Sequence, residues 1–320
     1  MDAADQELFG ATLRRAIGSQ SGADLDAALE GLGWHEALAL DAPLAVSLLF
    51  ERQGATNVSS SALGAVLASA LGVAQPATGG VVLPALGTWH PPGAVAQGTL
   101  SVRGIGTTAL LDQESVLVVA ESAGRTIFLD VASAGLALRP VRGLDPRLGL
   151  VDITGAGLPV DPEEELDPSG WSRAVARCQL ALGHELVGAS RTMLELARAH
   201  ALSRVQFGQT ISGFQAVRHR LAETLVAIET AQAMLTSAWV EESPESAGMA
   251  KALAGRGART AARHCQQVLA GIGFTTEHDL HLYIRRILVL DQLFGTAQTL
   301  TRELGTQLLR TRQLMALPPL

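Results

Sequence analysis

The chain has 320 residues, 48% of them apolar and 17% charged, which supplies large cores and excludes a disordered polymer. A formal net charge of −7 disfavours nucleic-acid binding, no apolar run reaches the ~18 residues of a membrane helix, and the acidic start MDAADQELFG lacks a basic secretory region. Two cysteines, Cys178 and Cys265, are too few for a disulfide framework or a zinc cage, so the expectation is a soluble, cytoplasmic, globular protein.

Residues 1–75 are expected to be helical. Leu25, Leu29, Leu32 and the run from Leu44 to Phe50 give apolar spacing without β-branched enrichment, and Gly54, Gly64 and Gly72 are expected to break the segment into short helices. Residues 76–166 change character. Val116–Ala120 and Thr126–Val131 are β-prone, and Gly124-Arg125, Gly143 and Asp145-Pro146 signal turns, so a small antiparallel barrel is expected, with Asp161 to Pro168 as a linker. Residues 167–320 read as long helices. From Phe214, apolar residues recur at Val217, Leu221, Leu225, Ile228, Leu235 and Trp239, and Ser246 to Leu269 is rich in alanine and glycine, as a four-helix bundle permits. Charge divides at the same place: residues 1–166 carry 8 basic and 19 acidic side chains, residues 167–320 carry 16 and 12. A positive second half suits a phosphorylated ligand.

Several short matches carry little. His184-Glu185 begins like a zinc-protease helix, but Gly188 stands where the second histidine belongs, and the pair reads as helix surface. His264 and Cys265 are adjacent and point to different helix faces. Gly104-Ile105-Gly106 lacks the following glycine of a dinucleotide turn. Two stretches are different in kind: Arg204-Val205-Gln206-Phe207-Gly208-Gln209-Thr210-Ile211 followed by Phe214-Gln215, and Gln267 through Gly271-Ile272-Gly273-Phe274 to Glu277. Turning between helices accounts for Gly208, Gly271 and Gly273, but not for Arg204, Gln215 and Gln267 arriving with them.

These two corners resemble those of the acyl-CoA dehydrogenase family, with Ala270 in place of the second corner's first glycine. The resemblance implies an α+β multidomain fold: a shortened N-terminal helical domain, a middle antiparallel β-barrel domain and a C-terminal four-helix bundle. It implies FAD as cofactor and α,β-dehydrogenation of an acyl-CoA thioester, with an electron-transfer flavoprotein as acceptor. Carried over by position, Arg204 would meet the flavin pyrophosphate with Gln206 and Phe207 beside it, and Gln267 and Gly271 would line the ADP portion. Thr296 and Gln298 match the family's residues after its catalytic position.

The catalytic half departs from the pattern. The family's glutamate falls on Phe294, and the alternative position on the first bundle helix falls on Cys178; neither is a carboxylate. The segments that wall the flavin have no good match at Leu83-Pro84-Ala85 or Arg103-Gly104-Ile105-Gly106. The expectation is a non-catalytic subunit of a heteromer, paired with a base-bearing partner, sharing one FAD and assembled as a dimer of heterodimers. Similar actinobacterial pairs act on steroid-derived CoA esters. Two alternatives stand beside it. One is a self-sufficient enzyme with Asp291 or Glu185 as a relocated base, against the plainer reading of Asp291 as a surface residue and Glu185 as an ion-pair partner. The other is a flavin-free structural or regulatory protein.

Overall fold

A computed structural model describes residues 3–18, 20–72, 80–160, 164–165, 167 and 169–312. Five helices come first: α1 (Ala3–Ile17), α2 (Ala23–Gly31), α3 (Trp34–Leu40), α4 (Ala42–Thr56) and α5 (Ala62–Leu71). Asp41 starts α4 by accepting the Leu44 N–H at 3.1 Å, with Pro43 in the first turn. Of the three glycines expected to interrupt this region, only Gly72 does, as the left-handed cap of α5. Gly64 lies inside α5 and Gly54 inside α4. Gly54 serves a contact instead: a Cβ there would run into the Glu185 carbonyl and come within 2.8 Å of the Ala189 nitrogen.

Strands follow: β1 (Leu83–Pro84), β2 (Gly93–Ala96), β3 (Thr99–Thr107), β4 (Ser115–Ser122), β5 (Arg125–Ala132), β6 (Ala137–Pro140), β7 (Leu150–Pro159) and β8 (Glu164–Glu165). They form one sheet in the order β6-β7-β3-β2-β4-β5-β8, with β1 also on β3. It is antiparallel throughout except for β2 and β4, which run parallel, so the all-antiparallel expectation fails at that pair. Period-two alternation splits the side chains. Val116, Val118 and Ile127 fill the sheet's own core, while Leu117 and Val119 face the helices. In the expected linker, Glu164–Glu165 pairs with β5; residues 161–163, 166 and 168 lie outside the described residues.

The C-terminal part contains α6 (Gly170–Ser203), a short hairpin of β9 (Val205–Gln206) and β10 (Gln209–Thr210), then α7 (Gln215–Glu241), α8 (Pro244–Leu269), α9 (Leu280–Leu290) and α10 (Ala297–Thr311). The fourth rod of the bundle is thus split between α9 and α10. The stripe predicted on α7 holds at Ile228 and Leu235, which are buried, but Leu225 is exposed. Helix α6 lies at the centre and packs on α4, α5, α7 and α8. It meets α4 backbone to backbone, where Gly188 abuts the Glu51 backbone as Gly54 abuts Glu185. Among the described residues, no helix is long and apolar enough to cross a membrane.

Candidate functional site

Helix α7 runs back between α6 and α8, so the C-terminal ends of α6 and α8 share one end of the bundle. Both glycine corners lie there. Arg204 leaves α6 in extended backbone, its N–H on His200 O at 2.9 Å and its carbonyl accepting the Ile211 N–H at 2.8 Å. The hairpin turns through Phe207 and Gly208, at φ of +54° and +80°. A two-residue turn of this hand needs positive φ twice, which glycine accepts freely and phenylalanine does not. Phe207 is also 91% exposed, stacked edge-on only against Phe214. Phe207 therefore combines a strained backbone position with an exposed aromatic ring.

At the second corner, α8 ends at Ala270, whose φ of +51° and ψ of −131° are glycine's territory. Gly273 packs tightly on the Leu269 side chain, whereas a Cβ on Gly271 would meet nothing within 4 Å. Phe274 is 72% exposed. The corners adjoin: His200 has its pKa lowered by burial first, then by the charges of His278 and Arg204, which lie just beyond the two turns. Arg204, Gln206, Phe207, Gln267 and Gly271 are all exposed on this end.

Thr296 and Gln298 lie elsewhere. They start α10, which packs on α8 near Gly255, roughly 18 Å along that helix from Gln267 at 1.5 Å per residue. The Thr296 hydroxyl caps α10, accepting the Thr299 N–H at 3.0 Å, and Gln298 is exposed.

The turn from Asp291 to Thr296, with phenylalanine at position 294, is packed from several sides. Phe294 is 1% exposed at a φ of +53°, and Gly295 follows at +93°. A Cβ on Gly295 would stand 2.7 Å from the Trp89 ring, and Trp89 is itself fixed by the Trp171 indole donating to its carbonyl at 3.0 Å. Gln179 of α6 donates to the Phe294 carbonyl at 3.1 Å, and the Gly87 N–H to Gln292 O at 2.8 Å. From α8, buried Lys251 donates to the carbonyls of Asp291 and Gly295. Burial lowers its pKa to about 7, against the neighbouring Asp291 charge that raises it.

Both relocated-base candidates are engaged. Asp291 is buried, not at the surface; it pairs with Arg259 and accepts the Ala297 N–H at 3.0 Å. Glu185 is 5% exposed and pairs with Arg286 at 3.3 Å, as an ion-pair partner should. Burial raises Glu185 to about 7, with the Arg286 charge pulling the other way. Cys178 is fully buried beside Leu63 O, and burial pushes its thiol well up. His184 is likewise buried, which overturns its reading as helix surface: the Trp239 indole donates to Nε2 at 3.1 Å, so Nδ1 donates to Glu51.

Arg286 was not legible as a key residue. Fully buried, it joins Asp145 of the sheet segment, Glu185 of α6 and the carbonyls of Asn57 and Val58. Its side-by-side neighbour Arg285, exposed, gave no cue beyond period. Among the described residues, no group of three or more His, Cys, Asp or Glu is placed to hold a metal.

The two regions differ in their fit to a flavin. The turn at Phe294 presents a buried apolar side chain and is held by Trp89 and the chain's own hydrogen bonds. The bundle end has open glycine backbone, an exposed guanidinium and amides, the donor set that phosphate oxygens take.

Helices, a sheet and a helical bundle follow one another along the chain, with glycine corners at one bundle end and a buried phenylalanine at position 294 of the central turn. Residues 171–309 match the family model described as the acyl-CoA dehydrogenase, C-terminal domain. The chain is 37% identical over 128 residues to acyl-CoA dehydrogenase IpdE2 of Mycobacterium tuberculosis, covering 40% of each chain. It therefore spans about two fifths of the curated relative it matches. Two solved structures share the fold across nearly the whole chain. The ChsE4-ChsE5 complex from Mycobacterium tuberculosis is 20% identical, with a TM-score of 0.78 covering 99% of both chains. The Tcur3481-Tcur3483 steroid ACAD is 20% identical, with a TM-score of 0.75 covering 97% of this chain and 99% of that one.

Proposed function

We propose that this chain is the non-catalytic subunit of a heteromeric, FAD-dependent acyl-CoA dehydrogenase, completing the flavin site of a base-bearing partner. The observation that carries the reading is a contrast: the base position is a buried phenylalanine next to Gly295, against which Trp89 packs, while the glycine corners stand open at the bundle end. That two of the neighbours in fold are themselves pairs of unlike names supports a second subunit. A steroid-derived CoA ester is the substrate class to try first, because one of those pairs is described as a steroid enzyme. An electron-transfer flavoprotein would take the electrons.

When bound, the flavin accepts a hydride from the β-carbon of the thioester while a carboxylate removes the α-proton. This chain supplies no such carboxylate. Its part is to bind: Arg204 faces the pyrophosphate as a planar fork of donors, Gln206 and Gln267 offer amides, and Gly271 lets backbone N–H groups approach. Phe207 covers apolar surface of the partner and excludes water.

Replacing Arg204 by alanine in the assembled heteromer should weaken FAD binding and abolish dehydrogenation, although no catalytic group is touched. Losing one partner of a buried charge pair costs ~2–5 kcal/mol, roughly 30- to 4,000-fold in affinity. Arg204→Lys should recover only part. Arg191, paired with Glu229 on the flank of the bundle at 2.7 Å, is the control whose alanine variant keeps its flavin. Assembly intact with unaltered FAD affinity in Arg204→Ala would reject the proposal.

A further inference from the structure

Lysine and arginine together number 24 in the sequence, and Lys251 is the only lysine among them. It is also fully buried, in the middle of α8. The two side chains differ in a way that matters there. A guanidinium stays charged and carries five donors, whereas an amine is compact and sheds its proton readily when buried. A chain that uses arginine everywhere else keeps lysine where a permanent charge would cost most.

Lys251, Gly255 and Arg259 recur at four-residue intervals on one face of α8, and the turn from Asp291 to Thr296 lies against that face. Lys251 Nζ donates to the carbonyls of Asp291, at 3.2 Å, and Gly295. Gly255 makes room for the Asp291 carboxylate, because a Cβ there would run into Oδ1. Asp291 Oδ1 accepts the N–H of Ala297, the first residue of α10, at 3.0 Å, and Oδ2 takes Arg259. A free amine has two N–H groups, and two carbonyls receive them. An ammonium has a third, for which the acceptor at hand is the Asp291 carboxylate.

The neighbouring elements bring little other charge to this place. Helix α6 brings the neutral amide of Gln179; its buried titratable side chains Cys178, His184 and Glu185 face Leu63 of α5, Glu51 of α4 and Arg286 of α9. Arg286 is in turn taken by Asp145. The buried side chains of α7 and α10 are uncharged. From the sheet side comes Trp89, on which the exposed His90 stacks at 5.6 Å between ring centroids. Burial favours the free amine of Lys251, and the Asp291 charge favours the ammonium.

We propose that Lys251 is a proton-operated clamp on the start of α10: as a free amine it holds two carbonyls and leaves Asp291 to cap α10, and on taking a proton from solvent it draws the Asp291 carboxylate away from the Ala297 N–H. The release is local, since the Thr296 hydroxyl still accepts the Thr299 N–H. The clamp is independent of the proposed flavin role, and its test uses no activity assay.

Because the chain has one lysine, labelling with ¹³C-lysine gives one ε-carbon signal, and NMR of the full chain follows Lys251 directly. The signal should titrate at about 7 instead of the ordinary 10.5. Hydrogen exchange at the Ala297 amide, corrected for its intrinsic pH dependence, should quicken at least tenfold as pH falls through the same midpoint. Lys251→Met, which has neither donor nor charge, should abolish that step. Asp291→Asn, which keeps an acceptor for Ala297 but no charge to draw away, should flatten it too and serves if Lys251→Met folds poorly. His90→Gln should leave the midpoint in place, which separates the lysine from the one exposed histidine nearby. The proposal is overturned if the lysine signal titrates above about pH 9, if Ala297 shows no step at the lysine midpoint, or if the step survives in folded Lys251→Met or Asp291→Asn.

Discussion

Glu185 shows how a single side chain acquires a property that its helix does not confer. Beside it in sequence, His184 is held between Trp239 and Glu51; Glu185 instead meets Arg286, which Asp145 already engages. Two carboxylates share one guanidinium, and burial raises Glu185 from 4.5 to about 7. A carboxyl whose folded-state pKa is raised binds its proton more tightly in the fold than in the unfolded chain. The stability it contributes is therefore complete below about pH 4.5 and is lost as pH rises through about 7. Glu185→Gln keeps an acceptor for Arg286 and removes the titration. Urea unfolding at pH 5 and pH 8 should show the unmodified protein losing roughly 2–3 kcal/mol more than the variant across that interval. Equal losses would mean that Glu185 is ionised throughout. Arg286→Met is the contrasting case: it leaves two buried carboxylates unpaired and should destabilise by roughly 3–5 kcal/mol at pH 8.

At the level of elements, the two corners end their helices by different means. After α6 the chain turns through a hairpin, with Phe207 at positive φ. After α8, Ala270 takes a conformation that costs a residue with a Cβ of order 1–3 kcal/mol. The sequence motif has glycine there, and Ala270→Gly should relieve the strain. Thermal melting should rise by a few degrees, in line with about 1 kcal/mol gained after glycine's greater unfolded-state freedom is offset. A lowered melting point would show that the Ala270 methyl group makes contacts worth more than the strain. Helix α7 carries a different message. Leu225, Val226 and Val240 are exposed along it, while only Thr224, Ile228, Ala231, Leu235 and Ala238 are buried. Of the predicted stripe only Leu225 is exposed, and Val226 and Val240 are apolar positions outside it.

For the whole molecule, the decisive relation is between the sheet segment and the bundle. Trp89 enters from the sheet side and lies on Gly295; Gln179, Lys251 and Gly87 hydrogen-bond the same turn from three elements. Restoring one residue leaves all of these contacts in place. Phe294→Glu should leave the lone chain colourless and without dehydrogenation of any acyl-CoA when assayed with an artificial electron acceptor. A carboxylate placed there would also have to lose its water in a buried turn. A yellow, active variant would show that the loss is confined to that position and would favour the self-sufficient reading.

What the sequence by itself determined is local. Helical and strand periods, the two glycine corners and the absence of a carboxylate at Phe294 and Cys178 are each set by residues near one another in the chain, and short-range geometry suffices to read them. Asp291 as a surface residue, His184 as helix surface and Gly54 as a helix breaker were misread for one reason. Period tells which residues share a face; it does not tell what lies opposite. Only the tertiary structure set α4 against α6 at Gly54 and Gly188, brought Asp145 and Glu185 to Arg286, and laid Trp89 on Gly295. Burial, pKa and closure of the central turn follow from those long-range contacts, because desolvation depends on every neighbour around a group and not on its position along the chain.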